Sequence, residues 1–591
     1  MKILMQSCVL GLAMVASAAF SQDVADSVAP ETSTALGYST ATPELARSQA
    51  AKDAGKPVEA DNWMVVAAHP LAVDAGARVL QEGGTAADAM VAVQAVLGLV
   101  EPQSSGLGGG EFLVWFDRAS GTVTTLDGRE TAPLSATPQL LQDDHGQPLG
   151  FFDAVVGGLL VGVPGTPKLL EQAHKRWGKS PWPELFTEAV DLAENGFAVS
   201  PRMAQSVQRD ALRLAQHPDT AAYFLPDNTP VVAGQVLKNP AYAHSVKTLA
   251  TQGAAPFYTG DIANAIVSAV QGAARPGQLG AEDLAIYQIK EREAVCANYR
   301  GYDVCGMGPP SSGGVAVGQI LGLLSPFDMT GLGPDNPETW RLIGDATRLA
   351  FADRGRYLAD SDYVPVPVKG LLDRTYLTDR AELLRRSDAL ADVSAGNPEF
   401  EHTLNLASDA DFARPSTSHI TIADAYGNVL SMTTTIENAF GSRVMAAGFL
   451  LNNELTDFSF RSHKNGVPIA NRVEPGKRPR SSMAPTIVLL DDKPVLAIGS
   501  PGGSRIIPYV ANAIIAYLDW GLDIQQAVSL PHRVNRFGVY DVEDDVMING
   551  LEAMGFVINK RDLNSGLHAI SFEGGLRGGA DPRREGLALG D

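Results

Sequence analysis

Three hydroxyl side chains and an imidazole stand together in Ser416-Thr417-Ser418-His419, directly ahead of an alternating apolar run. A polar turn that caps a strand would account for such a cluster. So would a threonine nucleophile, because the α-amine of a newly freed Thr417 could take the proton of its own hydroxyl. That chemistry requires the peptide bond between Ser416 and Thr417 to break. A Ser-His-Asp triad using His419 is the competing interpretation, but the sequence contains no G-x-S-x-G nucleophile elbow.

Further groups that could serve a nucleophile follow downstream. Two threonines share one face of a predicted strand and could orient the nucleophile. Two carboxylates could bind an ammonium group, and the backbone N–H groups of a glycine pair could form an oxyanion hole. A pair of serines adds hydroxyl donors. These groups are Thr433 and Thr435, Glu454 and Asp457, Gly502 and Gly503, and Ser481 and Ser482.

Length and composition indicate a large globular protein. The chain has 591 residues, of which 45% are hydrophobic and 19% charged, so there is ample material for a core. The formal net charge of −21 argues against a nucleic-acid partner, because neutralising phosphates requires clustered Lys and Arg. We expect no cofactor and no metal site.

The N-terminus has the pattern of an export signal. Lys2 supplies the positive charge, an apolar stretch runs from Val9 to Val15, and Ala16-Ser17-Ala18 matches a cleavage site. The apolar run is too short for a membrane span. We therefore predict a signal peptide over residues 1–21, a flexible leader over 22–61 that is rich in small and polar residues, and a periplasmic or secreted protein without a membrane span.

The two cysteines that remain after signal removal, Cys296 and Cys305, flank the predicted turn Arg300-Gly301 symmetrically. A two-residue turn with Gly supplying positive φ would place them opposite each other on a hairpin. In an exported protein such a pair favours a disulfide.

The order of helical and strand-like segments along the chain predicts a layered α/β fold. Residues 161–405 are mainly helical in character, and short apolar strands dominate after residue 412. Ala86 to Val100 is apolar nearly all round, which predicts a fully buried helix. A helix-rich block followed by a strand-rich block is typical of sheets covered by helices.

Ten segments, taken in order, resemble the γ-glutamyltransferase family of N-terminal-nucleophile hydrolases. They run over most of the chain and read VVAAHPLAVDAGARVLQEGGTAADAMVAV, PQSSGLGGGEF, DGRETAP, GVPGTP, PPSSGG, TSHITIADAYGN, FLLNNELTDF, KRPRSSMAPTIV, SPGGSRII and GADPRREG. The resemblance implies a four-layer αββα fold. It also implies self-cleavage between Ser416 and Thr417, which would give a large subunit, residues 62–416, and a small subunit, residues 417–591.

The same resemblance implies a role for each site residue. Thr417 would be the nucleophile for processing and for catalysis, and Thr435 would hydrogen-bond it. Arg129 of DGRETAP, a bidentate partner for a carboxylate, would hold the substrate α-carboxylate together with the serine pair. The α-amine would bind Asp457, helped by Glu454. The Gly502-Gly503 pair would form the oxyanion hole.

Two departures from the family pattern concern substrate choice. Glu437 stands where typical transferases of the family have Asn, as in acylase-like and polyglutamate-acting branches. The segment from Ser459 to Gly476 is shorter than the lid-bearing loop of the best-known bacterial members and lacks its tyrosine. A less covered cleft would admit water or larger substrates.

The sequence therefore predicts an exported, self-cleaving enzyme that acts on γ-glutamyl amides such as glutathione and passes the acyl group to water, an amino acid or a peptide. One alternative is an amidase of cephalosporin-acylase or polyglutamate type. The other is an unprocessed, inactive homologue that acts as a binding protein.

Overall fold

The structure, a computed structural model, describes residues 42–402, 405–409 and 416–591. Two seven-stranded antiparallel sheets pack face to face, and helices cover the outer side of each. Val114 and Phe116 of one sheet meet Ile487 and Leu489 of the other in the apolar layer between them. This is the predicted four-layer αββα sandwich.

The sheet that contains the residues after Thr417 is called the nucleophile sheet. Its strands, in spatial order, are Leu587–Gly590, Met64–Ala67, Ser418–Ala423, Val429–Thr435, Gly110–Asp117, Thr122–Gly128 and Lys290–Glu293. The second sheet consists, in spatial order, of Val58–Ala60, Leu576–Ala580, His568–Ser571, Lys493–Gly499, Thr486–Leu490, Tyr302–Gly306 and Val295–Tyr299.

Helices form the two outer layers and the connections between strands. The α-helices are Pro43–Asp53, Pro70–Gln81, Ala86–Val100, Phe151–Val155, Thr166–Trp177, Thr187–Asn195, Pro201–Leu214, Pro218–Phe224, Pro240–Gln252, Ala255–Thr259, Asp261–Gly272, Ala281–Ile286, Gly313–Leu324, Met329–Leu332, Pro337–Tyr357, Val368–Leu371, Arg374–Ala381, Ile506–Leu518, Ile524–Ser529 and Ile548–Ala553. Smaller sheets are formed by Phe197–Ala198 with Val236–Leu237, Met445–Ala446 with Phe449–Leu450, His463–Lys464 with Val467–Pro468, and Arg533–Asn535 with Val539–Val542 and Val557–Lys560.

The alternation along Ser418–Ala423 places its two kinds of side chain on opposite faces of the sheet. Ile420 and Ile422 join the core under the first helical layer. Thr421 faces the second sheet, where its hydroxyl donates to the carbonyl of His568 at 3.1 Å. Odd-numbered residues of this strand therefore point between the sheets, and Thr417 continues that series.

The helix Ala86–Val100 is buried at every residue, as its uninterrupted apolar sequence predicts. Thr85 caps its N-terminus in a capping box with Asp88. The helix packs against the strand that follows Thr417, so a rigid apolar support lies beneath the start of that strand.

The predicted flexible leader, residues 22–61, is wrong for its second half. Pro43–Asp53 is a helix and Val58–Ala60 is a strand of the second sheet. Ser48 donates to the carbonyl of Ala588, and Lys52 donates to the carbonyl of Gly586 at 2.8 Å. These partners lie more than 500 residues away in the chain, so local composition could not reveal them. The predicted signal peptide, residues 1–21, and residues 22–41 lie outside the described residues.

The hairpin of Cys296 and Cys305 forms as predicted. The strands Val295–Tyr299 and Tyr302–Gly306 place the two cysteines opposite each other, and a disulfide joins them. Arg300 and Gly301 both have positive φ, at 55° and 89°, as a tight two-residue turn requires. The hairpin forms the edge of the second sheet.

In the part of the chain that the structure describes, no helix has the length and hydrophobicity needed to cross a bilayer.

Candidate active site

Thr417 lies one residue before the strand Ser418–Ala423, at the end of the nucleophile sheet. The register pairs Ser418 with Thr434, which brings Thr417 beside Thr435 on the face between the sheets. Their hydroxyl oxygens are 3.3 Å apart. The Thr435 hydroxyl donates to the carbonyl of Ser416 at 2.9 Å, and the Thr417 hydroxyl also contacts that carbonyl. Two hydroxyls therefore converge on the bond predicted to break.

His419 is engaged elsewhere. Its Nδ1 lies 2.8 Å from the hydroxyl of Thr433 and its Nε2 lies 3.0 Å from that of Thr421. The ring is fully buried between the sheets, and burial holds its pKa well below the usual value. A neutral imidazole bound to these two threonines supports the sheet interior, which argues against the triad interpretation. It also gives Thr433 a partner other than Thr417.

A buried ionic network that the sequence analysis missed holds the carbonyl of Thr417 and the side chain of Ser418. Arg584 donates to the carbonyl of Thr417 at 3.0 Å, and the Ser418 hydroxyl donates to Glu101. Arg202 donates to the other oxygen of Glu101 at 2.5 Å. Arg584 lies in the quoted segment GADPRREG, and Glu101 directly precedes PQSSGLGGGEF, so the motifs pointed to these regions without showing the contacts.

Arg129 forms the centre of a buried charge cluster. Its guanidinium pairs with Glu454 and with Asp457, the latter at 2.5 Å, and Glu130 lies 3.9 Å away. The carbonyl of Pro479 accepts from its Nε at 3.2 Å. Burial disfavours the charged guanidinium, but the attraction of Glu454 and Asp457 outweighs it and raises the pKa of Arg129 above its usual value. A cluster of one cation and several carboxylates could bind a ligand that carries both a negative and a positive charge.

Two carboxyl groups of this cluster, Glu454 and Glu130, have a raised pKa. Burial raises the pKa of Glu454 to about 7, against the opposing attraction of Arg129. Burial, followed by the charge of Glu454, raises the pKa of Glu130 well above its usual range. Burial and the mutual repulsion of neighbouring carboxylates disfavour ionisation of both Glu454 and Glu130. A bound ammonium would favour the ionised form of these two carboxyl groups.

Nearly all the predicted site residues line one cavity. Its walls contain Arg129, Ser416, Thr417, Thr435, Glu437, Glu454, Asp457, Ser481, Ser482, Met483, Gly503 and Ile506. Of the residues predicted for catalysis or substrate binding, Gly502 does not line it and lies next to Gly503. The cavity volume is about 20 Å³ in the uncleaved chain, which is room for about one water molecule. Ser416, the residue before Thr417, forms part of the cavity wall.

Glu437 lies between the nucleophile and the charge cluster. Its backbone N–H donates to the Thr435 hydroxyl at 2.9 Å, and its carboxylate accepts from the side chain of Asn453 at 2.5 Å. The residue is buried and has a φ of 73°, an uncommon conformation for a side chain of this type. The departure from the family pattern thus places one more carboxylate against the cavity, beside the threonine pair.

Ser481, Ser482 and Gly503 also form part of the wall. The hydroxyl of Ser482 accepts from Arg354 at 2.7 Å. The glycine pair precedes the helix Ile506–Leu518 and has φ values of 137° for Gly502 and 59° for Gly503. A Cβ on Gly502 would approach the ring of Tyr509 to 2.7 Å. Only glycine fits this turn, which is the type of backbone that can aim consecutive N–H groups at one point.

A four-layer αββα sandwich with a threonine at the start of a central strand defines the class of N-terminal-nucleophile hydrolases. Comparisons with known proteins agree with this class and narrow it. The family model described as gamma-glutamyltranspeptidase matches residues 72–590. The chain belongs to the gamma-glutamyltranspeptidase family.

Relatives within the family are similar over nearly their whole length. The chain is 37% identical to the "Glutathione hydrolase proenzyme" of Bacillus subtilis (strain 168), over 89% of this chain and 91% of that protein. It is 36% identical to the "Acylase ACY 1 proenzyme" of Pseudomonas sp. (strain SE83), over 90% and 94%. The crystal structure of cephalosporin acylase from Bacillus halodurans matches with a TM-score of 0.81 and 26% identity, over 91% of this chain and 97% of that one.

Proposed function

We propose that the chain is a precursor that cleaves itself between Ser416 and Thr417, and that the mature enzyme hydrolyses or transfers γ-glutamyl groups. The convergence of the Thr417 and Thr435 hydroxyls on the Ser416 carbonyl, in one cavity with the Arg129 charge cluster, carries the proposal. Cleavage would leave a large subunit ending at residue 416 and a small subunit of residues 417–591. A signal peptide over residues 1–21 would direct the precursor to the periplasm or the medium.

In the mature site, each charged group has a partner on an α-amino acid head. Arg129 would hold the α-carboxylate with the Ser481 and Ser482 hydroxyls, because a guanidinium binds a carboxylate through two parallel hydrogen bonds. Asp457 and Glu454 would turn from Arg129 to the α-ammonium. Such an exchange keeps every charge paired when substrate enters. The γ-carbonyl would then lie over Thr417.

The reaction would proceed through an acyl-enzyme. The freed α-amine of Thr417 takes the hydroxyl proton as Oγ1 attacks the γ-carbonyl carbon, and N–H groups of Gly502 and Gly503 stabilise the oxyanion. The amine then returns the proton to the leaving nitrogen as the amide bond breaks. Water, or the amine of an amino acid or peptide, attacks the ester and restores Thr417. Glutathione is the donor that the similarity to glutathione hydrolases favours.

A second function, hydrolysis of a side-chain amide by a cephalosporin-acylase-like enzyme, is favoured by the similarity to ACY 1 and to the Bacillus halodurans acylase. Glu437 is the residue that points toward this branch or toward a polyglutamate-acting one. Such donors lack the complete α-amino acid head, so they would leave part of the Arg129 cluster without a partner. We favour γ-glutamyl donors for that reason.

The test is a comparison of donors on the purified protein. γ-Glutamyl-p-nitroanilide should be hydrolysed, and its α-deaminated analogue glutaryl-p-nitroanilide should react at least about 100-fold more slowly, because it cannot engage Asp457 and Glu454. Faster hydrolysis of the glutaryl compound would establish the acylase function. A chain that remains intact and hydrolyses neither compound would be the inactive binding homologue. Adding glycylglycine to the γ-glutamyl assay would measure how much of the γ-glutamyl group is transferred to this acceptor and how much is released by water.

A further inference from the structure

The serine pair in the cavity wall is hydrogen-bonded to a second loop of the chain. Ser481 donates its backbone N–H to the carbonyl of Pro310 at 3.0 Å. The carbonyl of Ser481 accepts from the N–H and from the hydroxyl of Ser312, at 2.9 and 2.6 Å. The motif PPSSGG, residues 309–314, therefore holds the backbone of Ser481 in place.

One buried arginine joins this loop to the second serine of the pair. Arg354 lies in the last turn of the helix Pro337–Tyr357 and is 1% exposed. Its Nε donates to the hydroxyl of Ser312 at 2.7 Å, and its Nη2 donates to the hydroxyl of Ser482, also at 2.7 Å. A planar guanidinium presents such donors at a fixed spacing. The arginine therefore sets the position of the Ser482 hydroxyl relative to the loop.

The bond from Arg354 also determines the direction in which the Ser482 hydroxyl can donate. An arginine side chain only donates, so the oxygen of Ser482 is the acceptor and its own hydrogen must point elsewhere. Residues 42–402, 405–409 and 416–591 provide no acceptor for that hydrogen within hydrogen-bonding distance. Ser482 lines the cavity beside Arg129, whereas Arg354 does not line it. The hydroxyl hydrogen of Ser482 is therefore available to a ligand in the cavity.

The two serines of the pair differ in what polarises them. The hydroxyl of Ser481 accepts from the neutral backbone N–H of Met483 at 3.1 Å. The hydroxyl of Ser482 accepts from a guanidinium, and a hydroxyl bonded to a cation becomes a stronger donor in a buried site. A second positive charge, in addition to that of Arg129, can therefore act on a bound anion through Ser482.

The electrostatic surroundings of Arg354 would favour an anion at Ser482. Burial lowers the pKa of Arg354 well below its usual value, and the charge of Arg480 lowers it further. The carboxylates of Asp457 and Asp409 oppose this shift. A carboxylate bound at Ser482 would act in the same direction as these two aspartates and would stabilise the charged guanidinium.

We propose that Arg354 is a positioning residue for the recognition of the donor α-carboxylate, which directs the Ser482 hydroxyl toward that group and polarises it. The inference rests on the proposed γ-glutamyl function. In that function Arg129 contacts the α-carboxylate directly, and Arg354 acts on it through one hydroxyl without touching the donor. Arg354 thereby makes the enzyme prefer donors that carry an α-carboxylate over donors that lack it.

Two donors that differ only in the α-carboxylate test this role. γ-Glutamyl-p-nitroanilide carries the group, and 4-aminobutyryl-p-nitroanilide has a hydrogen in its place and keeps the amine. Arg354→Met retains a long side chain and removes both hydrogen-bond donors. In this variant the ratio of kcat/KM for the first donor to kcat/KM for the second should fall about 10- to 100-fold, because a charge-assisted hydrogen bond that orients Ser482 is lost. Ser482→Ala should lower the ratio by a similar factor.

A double-mutant cycle shows whether the arginine acts through Ser482. The variant that combines Arg354→Met with Ser482→Ala should have the same ratio as Ser482→Ala alone, because the proposed effect passes through that hydroxyl. The cycle is repeated with Arg354→Lys, which keeps the buried charge and lacks the planar fork. Losses that multiply in the double variants would mean that the arginine acts independently of Ser482, and would overturn the inference.

Controls separate this role from support of the fold. Arg356→Gln removes a cation from the same helix, where its guanidinium lies 5.2 Å from the ring centre of Tyr357, and it should leave the ratio unchanged. Thermal unfolding and maturation into two fragments show whether each variant is folded. If neither Arg354→Met nor Arg354→Lys folds, the arginine supports the fold itself and the inference is overturned.

The parent enzyme distinguishes this inference from the function on which it rests. A parent that cleaves neither donor, or that prefers the 4-aminobutyryl donor, would overturn the proposed γ-glutamyl function. A parent that prefers the γ-glutamyl donor, with Arg354 variants that retain the whole preference, would overturn the role of Arg354 alone.

Discussion

The hydroxyls of Thr417 and Thr435 lie 3.3 Å apart at the ends of two neighbouring antiparallel strands, and both contact the carbonyl of Ser416. The relationship follows from the strand register, which pairs Ser418 with Thr434. Sheet hydrogen bonds therefore hold in place both the hydroxyl that we propose attacks the Ser416 carbonyl and the one that we propose polarises it. The position of these two hydroxyls is the physical basis for proposing self-cleavage at the bond between Ser416 and Thr417.

Thr417→Ala should leave a single full-length chain. No hydroxyl would remain at this position to attack the Ser416 carbonyl, and the alanine fits the same strand geometry. Denaturing electrophoresis with N-terminal sequencing measures the result. Thr417→Ser is the matched control, since it keeps the hydroxyl and should still cleave. A fragment of the alanine variant that begins at residue 417 would show that another group performs the cleavage.

Thr435→Ala should slow maturation by about 100-fold or more, because it removes a donor to the carbonyl that becomes an oxyanion during cleavage. The measurement is the rate at which purified precursor converts to two fragments. Thr433→Ala is the matched control on the same strand face, because the hydroxyl of Thr433 binds His419. Equal slowing in both variants would mean that strand packing, and not the hydroxyl of Thr435, sets the rate.

Arg129→Lys should mature normally but lose activity on γ-glutamyl donors. Lysine keeps the charge and loses the planar fork that orients a carboxylate. Disrupting a buried charge pair typically costs about 2–5 kcal/mol, which corresponds to a fall of about 30- to 4,000-fold in kcat/KM. Thermal unfolding should accompany the kinetics to show that the folded state persists. Parent-like hydrolysis of γ-glutamyl-p-nitroanilide would contradict the assignment of Arg129.

The pH dependence of donor binding should reflect Glu454. Its pKa is raised to about 7, so below that pH it is protonated in the free enzyme and no longer attracts an ammonium group. We expect the donor KM to rise as pH falls from 8 to 6. Glu454→Gln removes the titrating group, so its KM should be higher at pH 8 and nearly independent of pH. A parent-like pH profile in this variant would assign the titration to another group.

The raised pKa of Glu454 also makes the folding stability depend on pH. Between the usual carboxyl pKa near 4.5 and about 7, the folded state binds more protons at Glu454 than the unfolded state does. The contribution of this residue to stability is therefore complete at low pH and declines as pH rises through that window. Glu454→Gln should flatten that part of the profile, which denaturant unfolding at several pH values would reveal.

Replacing both Cys296 and Cys305 by serine should lower stability modestly and leave catalysis intact. The disulfide closes a short loop in a hairpin that its own turn already favours, so the loss should not exceed about 2–3 kcal/mol. Urea unfolding measures the change, and γ-glutamyl-p-nitroanilide hydrolysis serves as the functional control. Loss of activity in a variant that remains folded would show that this edge hairpin affects the distant site.

The sequence by itself determined the features that depend on neighbours in the chain. The cluster Ser416 to His419 indicated a threonine nucleophile, the spacing of two cysteines around a tight turn predicted their disulfide, and the apolar run before Val100 predicted a buried helix. Ordered motifs were enough to indicate the family and the αββα fold. The disulfide and the buried helix follow from turn geometry and short-range periodicity, whereas the four-layer fold and the role of Thr417 follow from the resemblance of the motifs to the family.

Only the tertiary structure decided which distant groups meet. Arg129 pairs with carboxylates more than 300 residues away, Arg584 holds the Thr417 carbonyl, and the predicted flexible leader contains a helix fixed by Lys52 to the C-terminal strand. Arg536 likewise reaches Ser504, next to Gly503, from a separate hairpin. Such contacts arise because the packed sheets bring strand ends together, and burial then makes pairing of each charge obligatory. Composition and periodicity carry no signal for either effect.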